Sequence, residues 1–123
     1  VTASHLITAE QGERRADEYL RGLGFRILIR NYRCPFGELD IVAEHDGVLH
    51  IVEVKTRSQR LDEPMETVRP SKRRRMVRIS RRLVEEHHLD HMPCQFDVIS
   101  VHCDSGGQLR VEFFEDAFPG DSH

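Results

Sequence analysis

The chain has 123 residues, 38% of them hydrophobic and 32% charged, with a net charge of −3. That is enough for one domain, which buries roughly two thirds of its unfolded surface, and too polar for a membrane-embedded fold. The three cysteines, Cys34, Cys94 and Cys103, are odd in number and widely spaced, with no C-x-x-C pair. This argues against a disulfide framework or a cysteine zinc site and for the reducing cytoplasm. No apolar run at the N-terminus resembles a signal peptide and no stretch is long enough to span a membrane, so no membrane partner is expected.

In chain order, Leu6 to Leu23 reads as a helix. Its apolar stripe is Leu6, Ala9, Ala16, Leu20 and Leu23, with Glu13 set in the middle, and Gly24 ends it. A carboxylate in a core-facing stripe has two readings. Either Glu13 reaches an edge or pairs with Arg26 or Arg30, or this face delivers it to a site elsewhere in the fold. Phe25 to Tyr32 alternates as a strand, and Pro35 to Gly37 makes a bend. Gly37 to Thr56 then reads as a hairpin around Asp46-Gly47, a strong two-residue turn signal.

Ser58 to Arg69 is a polar connection with one short helical turn expected at Glu63 to Val68. Pro70-Ser71 opens a second helix, which runs to about His87 over Met76, Val77, Ile79, Leu83 and Val84. Cys94 to His102 and Leu109 to Phe114 read as strands, the last at an edge. Residues 1–4 and 117–123 are expected to be loose tails of a single domain spanning 1–123. The order helix, three strands, helix, two strands describes an α/β layered domain with a mixed sheet.

The hairpin carries the chemistry. With a two-residue turn, position 40 faces position 53 and position 38 faces position 55. Strand alternation then sends Glu38, Asp40, Glu53 and Lys55 to one side, and Leu39, Ile41, Val52 and Val54 to the other. Two like charges directly opposite, about 5 Å apart, destabilise a strand pair. A divalent cation between Asp40 and Glu53 would remove that cost. Mg²⁺ or Mn²⁺ suits carboxylate oxygens, with the backbone carbonyl of Val54 as a further ligand and Glu13 as a third acid. Lys55 would orient the attacking water or neutralise charge on a phosphate, and Glu38 would hold Lys55 or face solvent. The alternative is a surface strand pair laced with ordinary ion pairs.

Charge is unevenly spread. Arg69, Lys72, Arg73, Arg74, Arg75, Arg78, Arg81 and Arg82 form a run with no acid among them. A solvated helix face is the ordinary meaning of such a run. The absence of compensating acids favours phosphate contact by Lys72, Arg74, Arg75, Arg78 and Arg82, with Arg57 and Arg60 extending the path toward the carboxylates. His87, His88 and His91 are expected in an exposed loop rather than on a metal. Asp97, inside an apolar strand, is expected to support the structure as the buried partner of an arginine.

These pieces match known families. The run GELD, with E-V-K beginning thirteen residues after its Asp, resembles the PD-(D/E)-x-K nuclease superfamily, which includes many restriction enzymes and the archaeal Holliday-junction resolvases. More closely, four pieces resemble the YraN family of uncharacterised bacterial proteins. They are GERRADEYLRGLGFRIL, RNYRCPFGELDIVAEHDGVLHIVEVKTR, the K-R-R-R helix after Val68-Arg69-Pro70, and PCQFDVISV.

The resemblance covers nearly the whole chain. It implies a restriction endonuclease-like three-layer domain, a central mixed β-sheet flanked by helices, and a Mg²⁺- or Mn²⁺-dependent endonuclease acting on DNA, branched or junction DNA included. By resemblance Asp40 takes the acidic role of the first motif, Glu53 and Lys55 those of the second, and Glu13 that of the helix acid. Leu39 stands where the superfamily name has Pro. Resolvase-like relatives also imply a homodimer. The competing expectation is a nucleic-acid-binding or adaptor protein that keeps the nuclease fold without cutting.

Overall fold

The computed structural model describes residues 7–57 and 68–120. Helix α1 spans Ala9–Gly22. It starts later than its apolar pattern because Thr8 and Gln11 form a reciprocal cap. The Gln11 N–H donates to Thr8 Oγ1 at 3.1 Å, and the Thr8 N–H donates to Gln11 Oε1 at 2.8 Å. Gly24, at φ +96°, turns the chain out of the helix. Strands β1 (Arg26–Cys34), β2 (Gly37–His45) and β3 (Val48–Arg57) follow, then α2 (Pro70–Glu86), β4 (Cys94–Cys103) and β5 (Leu109–Phe118).

The five strands form one sheet in the order β1-β2-β3-β4-β5. Only β3 and β4 run parallel, joined across α2; the other neighbours are antiparallel. The sheet is thus mixed, and the three-layer arrangement is consistent with a restriction endonuclease-like fold. On one face α1 sets Ala16 and Leu20 onto Ile41, Ala43, Val52, Ile99 and Val101. On the other, α2 sets Met76, Val77, Ile79 and Leu83 onto Leu39, Val42, Ile51, Phe96 and Val98. No helix among the described residues is long and apolar enough to cross a membrane.

The hairpin turn is as the dipeptide dictates. Asp46 and Gly47 both have positive φ, +52° and +78°, and the rungs run from His45↔Val48 to Ile41↔Val52. Three expectations are corrected. Leu23 is no core residue. It is the C-cap and 48% exposed, because the turn at Gly24 hands its place to the buried Phe25. The α1 contact is made instead by Gly12, Ala16, Asp17 and Leu20.

The second correction concerns the 117–123 tail. Residues Ala117 and Phe118 belong to β5, and the Phe118 ring stacks on Phe96 at 5.0 Å between centroids. Gly120 also lies against Phe96. Burial of one aromatic pair outweighs the small, polar character of the segment around it. Residues 121–123, the tail at 1–4 and most of the 63–68 turn lie outside the described residues.

The third correction concerns alternation, and it shapes the site. Leu39 and Ile41 should share a face, yet Leu39 packs under α2 and Ile41 under α1. The strand beside them does the same. Ile29 and Tyr32 both pack against the α2 core. Between the rungs Arg30↔Ile41 and Tyr32↔Leu39 lies Asn31, at φ +56°. Asparagine tolerates that left-handed conformation better than most residues. Both strands therefore crease together at Asn31 and Asp40.

Candidate functional site

Beyond the crease, β2 and β3 part. Their paired rungs stop at Ile41↔Val52, one position short of Asp40 and Glu53. Asp40 fills the parting, its Oδ2 accepting the Val54 N–H at 2.8 Å. The carboxylate thus stands in for a backbone partner, in the plane of the sheet rather than on one of its faces. Glu53, Lys55 and Arg57 alternate toward the α2 side, since Ile51 lies in the α2 core and Val52 in the α1 core.

Asp40 and Glu53 are close enough to interact strongly. Burial, then the negative charge of Glu53, push the Asp40 carboxyl up to about 7; the Val54 N–H opposes the rise, and hydrogen bonding to Glu53 and the more distant charge of Glu13 add to it. Asp40 therefore keeps its proton to a higher pH than an ordinary carboxyl. Glu53 is buried, with 8% exposure, and its Oε2 accepts a hydrogen bond from Lys72 Nζ of α2.

Glu13 arrives from the opposite face. Gly12 beside it is what lets α1 lie so close to β3. A Cβ on Gly12 would stand 2.1 Å from Thr56 Oγ1. Glu13 Oε1 lies 3.9 Å from Arg30, whose guanidinium is also 3.8 Å from Asp17. The first reading of Glu13 is the one observed: it pairs with Arg30, and only its charge is felt at Asp40. It does not close on the other two acids, for no group of three His, Cys, Asp or Glu side chains among the described residues is gathered as a ready ligand set. The structure brings Asp40, Glu53 and the Val54 backbone together, with Lys55 two residues along β3 and Glu13 behind them.

The donor set fits a hard divalent cation. Asp40, raised by burial and by the charge of Glu53, and Glu53, which takes the Lys72 ammonium, are hard oxygen donors of the kind such a cation takes. A cation there would draw on Asp40, Glu53 and the Val54 carbonyl, with Glu13 as an outer partner. Glu38 is not part of this set. It faces Arg33 across the β1–β2 ladder, with 3.1 Å between Arg33 Nε and Glu38 Oε2.

The basic face of α2 is present. Lys72, Arg74, Arg75, Arg78, Arg81 and Arg82 are exposed. Arg78 lies over the Phe36 ring, 3.8 Å from its centroid, and Arg82 pairs with Glu86 at 3.2 Å. From Lys72 to Arg82 the helix extends about 15 Å away from the carboxylates. Arg57 lies at the end of β3, beside His102 in β4. Arg60 lies outside the described residues. The histidines His87, His88 and His91 are exposed, as expected.

Asp97 corrects a further expectation. It is fully buried, but its partner is His50, not an arginine. His50 Nδ1 donates to Asp97 Oδ2 at 2.6 Å. Gln95 Nε2 and the Asp116 N–H donate to its other oxygen at 2.9 and 2.8 Å. Sequence reasoning also missed the residues beside Lys55. In register, Ser100 of β4 adjoins Lys55 and Glu112 of β5 adjoins Ser100, all on the α2 side. Ser100 is buried and its Oγ has no hydrogen-bond partner. No local signal marks these positions, because the parallel β3–β4 register is set by the α2 crossover.

Comparison with known proteins adds the family. A profile of the uncharacterised protein family UPF0102 matches residues 12–101. A UPF0102 protein of Symbiobacterium thermophilum is 40% identical over 110 residues, 89% of this chain and 93% of the relative. One from Syntrophotalea carbinolica is 42% identical over 122 residues, 98% of both. A third, from Syntrophus aciditrophicus, is 40% identical over 115 residues, 93% of this chain and 90% of the relative.

Proposed function

The chain belongs to the uncharacterised protein family UPF0102, and from that premise we propose that it is a divalent-metal-dependent endonuclease that hydrolyses phosphodiester bonds in DNA, branched or junction DNA among its substrates. The observation that carries the reading is the meeting of Asp40 and Glu53 where β2 and β3 part, with Lys55 next along the strand. The PD-(D/E)-x-K resemblance supports it by assigning the same residues.

Mg²⁺ or Mn²⁺, when bound, would supply Lewis-acid polarisation of a phosphodiester oxygen and a water of lowered pKa. The chain's own residues do the rest. The Val54 N–H fixes the Asp40 carboxylate. Burial of Glu53 keeps that acid from swinging into solvent. Lys55 orients the attacking water or offsets charge on the phosphate. The exposed arginines of α2, notably Arg74, Arg75 and Arg78, hold the flanking backbone with salt-dependent affinity.

The test is cleavage of plasmid, flap and four-way-junction DNA with Mg²⁺ or Mn²⁺. Wild type is expected to cut at least one of them, and Asp40→Ala and Lys55→Ala to lose roughly 10²-fold or more in rate. Equal inertness of all three proteins on every substrate sinks the enzyme reading. A second reading, a non-cutting nucleic-acid-binding or adaptor protein, is favoured by the hold of Arg30 on Glu13. It predicts salt-dependent DNA binding that survives Asp40→Ala and weakens with Arg74→Ala and Arg78→Ala.

A further inference from the structure

We propose that Lys72 is a positioning residue of the carboxylate site, holding Glu53 in the place of a divalent cation and releasing it when the cation binds. The proposal rests on the metal-site reading above and adds a second lysine, from a different element, to Lys55.

Lys72 is the third residue of α2, where a positive charge opposes the helix dipole. No acid lies in that first turn, and Arg69 and Arg73 flank it. Repulsion from these neighbours would be relieved by turning the ammonium to solvent. Instead Nζ crosses from helix to sheet and contacts Glu53 Oε2.

The two partners are unequally held. The Glu53 side chain is 10% exposed and that of Lys72 is 45% exposed. The acid is fixed in the sheet, whereas the ammonium reaches in on a flexible stem and can leave into water at little cost. Lys72 is therefore an obstacle that can move out of the way of a cation approaching Asp40 and Glu53. Once displaced, Lys72 rejoins the basic face of α2 at the end nearest the carboxylates, available to a phosphate of a bound strand. Metal loading and phosphate capture would then favour each other.

The experiment is calorimetric titration with MnCl₂, without nucleic acid, of wild type, Lys72→Met, Lys72→Arg and Glu53→Gln. Wild type is expected to bind Mn²⁺ and Glu53→Gln to lose most of that affinity. Lys72→Met is expected to bind roughly tenfold more tightly than wild type, as removal of a competing cation requires, and Lys72→Arg to stay near wild type. A merely structural Lys72 would not tighten binding when removed. In the same buffer with a DNA duplex, Lys72→Met is expected to bind DNA a few-fold more weakly in the presence of Mn²⁺. Wild-type Mn²⁺ binding that depends on Glu53 but is unchanged or weakened in Lys72→Met overturns the exchange and leaves the metal site standing. No Mn²⁺ binding by wild type, or equal binding by Glu53→Gln, overturns both.

Discussion

Two aspartates in one sheet, Asp97 and Asp40, have been given opposite surroundings. Asp97 is fully buried and met by donors on every side: His50, Gln95 and the backbone of Asp116. To supply the last of these, β5 shifts register and Asp116 takes φ +54°. Asp40 is less buried, receives one backbone N–H, and faces a second carboxylate. The fold deforms to satisfy the first acid and leaves the second in conflict. A carboxylate supplied with donors holds a structure together. One supplied with another carboxylate is a cost that stability alone would not keep, which is what makes Asp40 a candidate.

Removing each acid should therefore act in opposite directions. Asp97→Ala orphans the His50 imidazole, the Gln95 amide and the Asp116 N–H inside the sheet. A loss of roughly 3–5 kcal/mol is expected, read from urea denaturation. If Asp97→Ala unfolds with the wild-type midpoint, the contrast between the two acids is wrong.

Asp40→Asn should instead stabilise the metal-free protein, and only at higher pH. The folded Asp40 carboxyl titrates at about 7, well above its ordinary 3.8. Between those values the folded state holds a proton that the unfolded state has lost, so wild-type stability falls as pH rises from about 4 to about 7. The amide avoids that cost, keeps an acceptor for the Val54 N–H and donates to Glu53. Its advantage should be near zero at pH 4 and reach on the order of 3–4 kcal/mol at pH 8. Thermal melts at the two pH values check this. A pH-independent difference would mean that Asp40 is ionised throughout.

The same contrast separates what could be read in advance from what could not. The nearness of Asp40 to Glu53 was legible because Asp46-Gly47 sets the hairpin register through local chemistry, but their direct pairing was not, since the rungs stop one position short of them. The whole element order was legible too, since helices and strands announce themselves by period. The crease at Asn31 and Asp40 was not. Alternation assumes an unbroken strand, and the one local hint was an asparagine, a residue common in many other settings. The surroundings of Asp97, Lys55 and Glu53 were not legible either. His50 meets Asp97, Ser100 comes to lie beside Lys55 and Lys72 meets Glu53 through the parallel β3–β4 register and the docking of α2, which join residues far apart in sequence. Glu13 was conspicuous as a charge in an apolar stripe, and which of the two arginines it pairs with followed only once Arg30 was placed beside it.

The smallest effect expected comes from Gly12→Ala, which touches the Asp40 side of the contrast and spares the Asp97 side. The new methyl would lie 2.1 Å from Thr56 Oγ1 and 3.0 Å from its Cγ2. Gly12 gains from alanine's better helix propensity, but the clash should outweigh that, for a net loss of about 1–2 kcal/mol. Relief comes by α1 lifting from β3, which carries Glu13 away from Asp40. Because the charge of Glu13 is the weakest contribution to the raised carboxyl, the Asp40 titration should move down only slightly, as followed by carboxyl-carbon NMR. Thr56→Ala removes both clashing atoms and leaves the Cβ contact at 3.1 Å, so the double variant should recover most of the stability and return Asp40 toward its wild-type midpoint. A double variant as unstable as Gly12→Ala would show that the helix is seated by some contact other than Gly12 on Thr56, and that Glu13 owes its position near Asp40 to Arg30 alone.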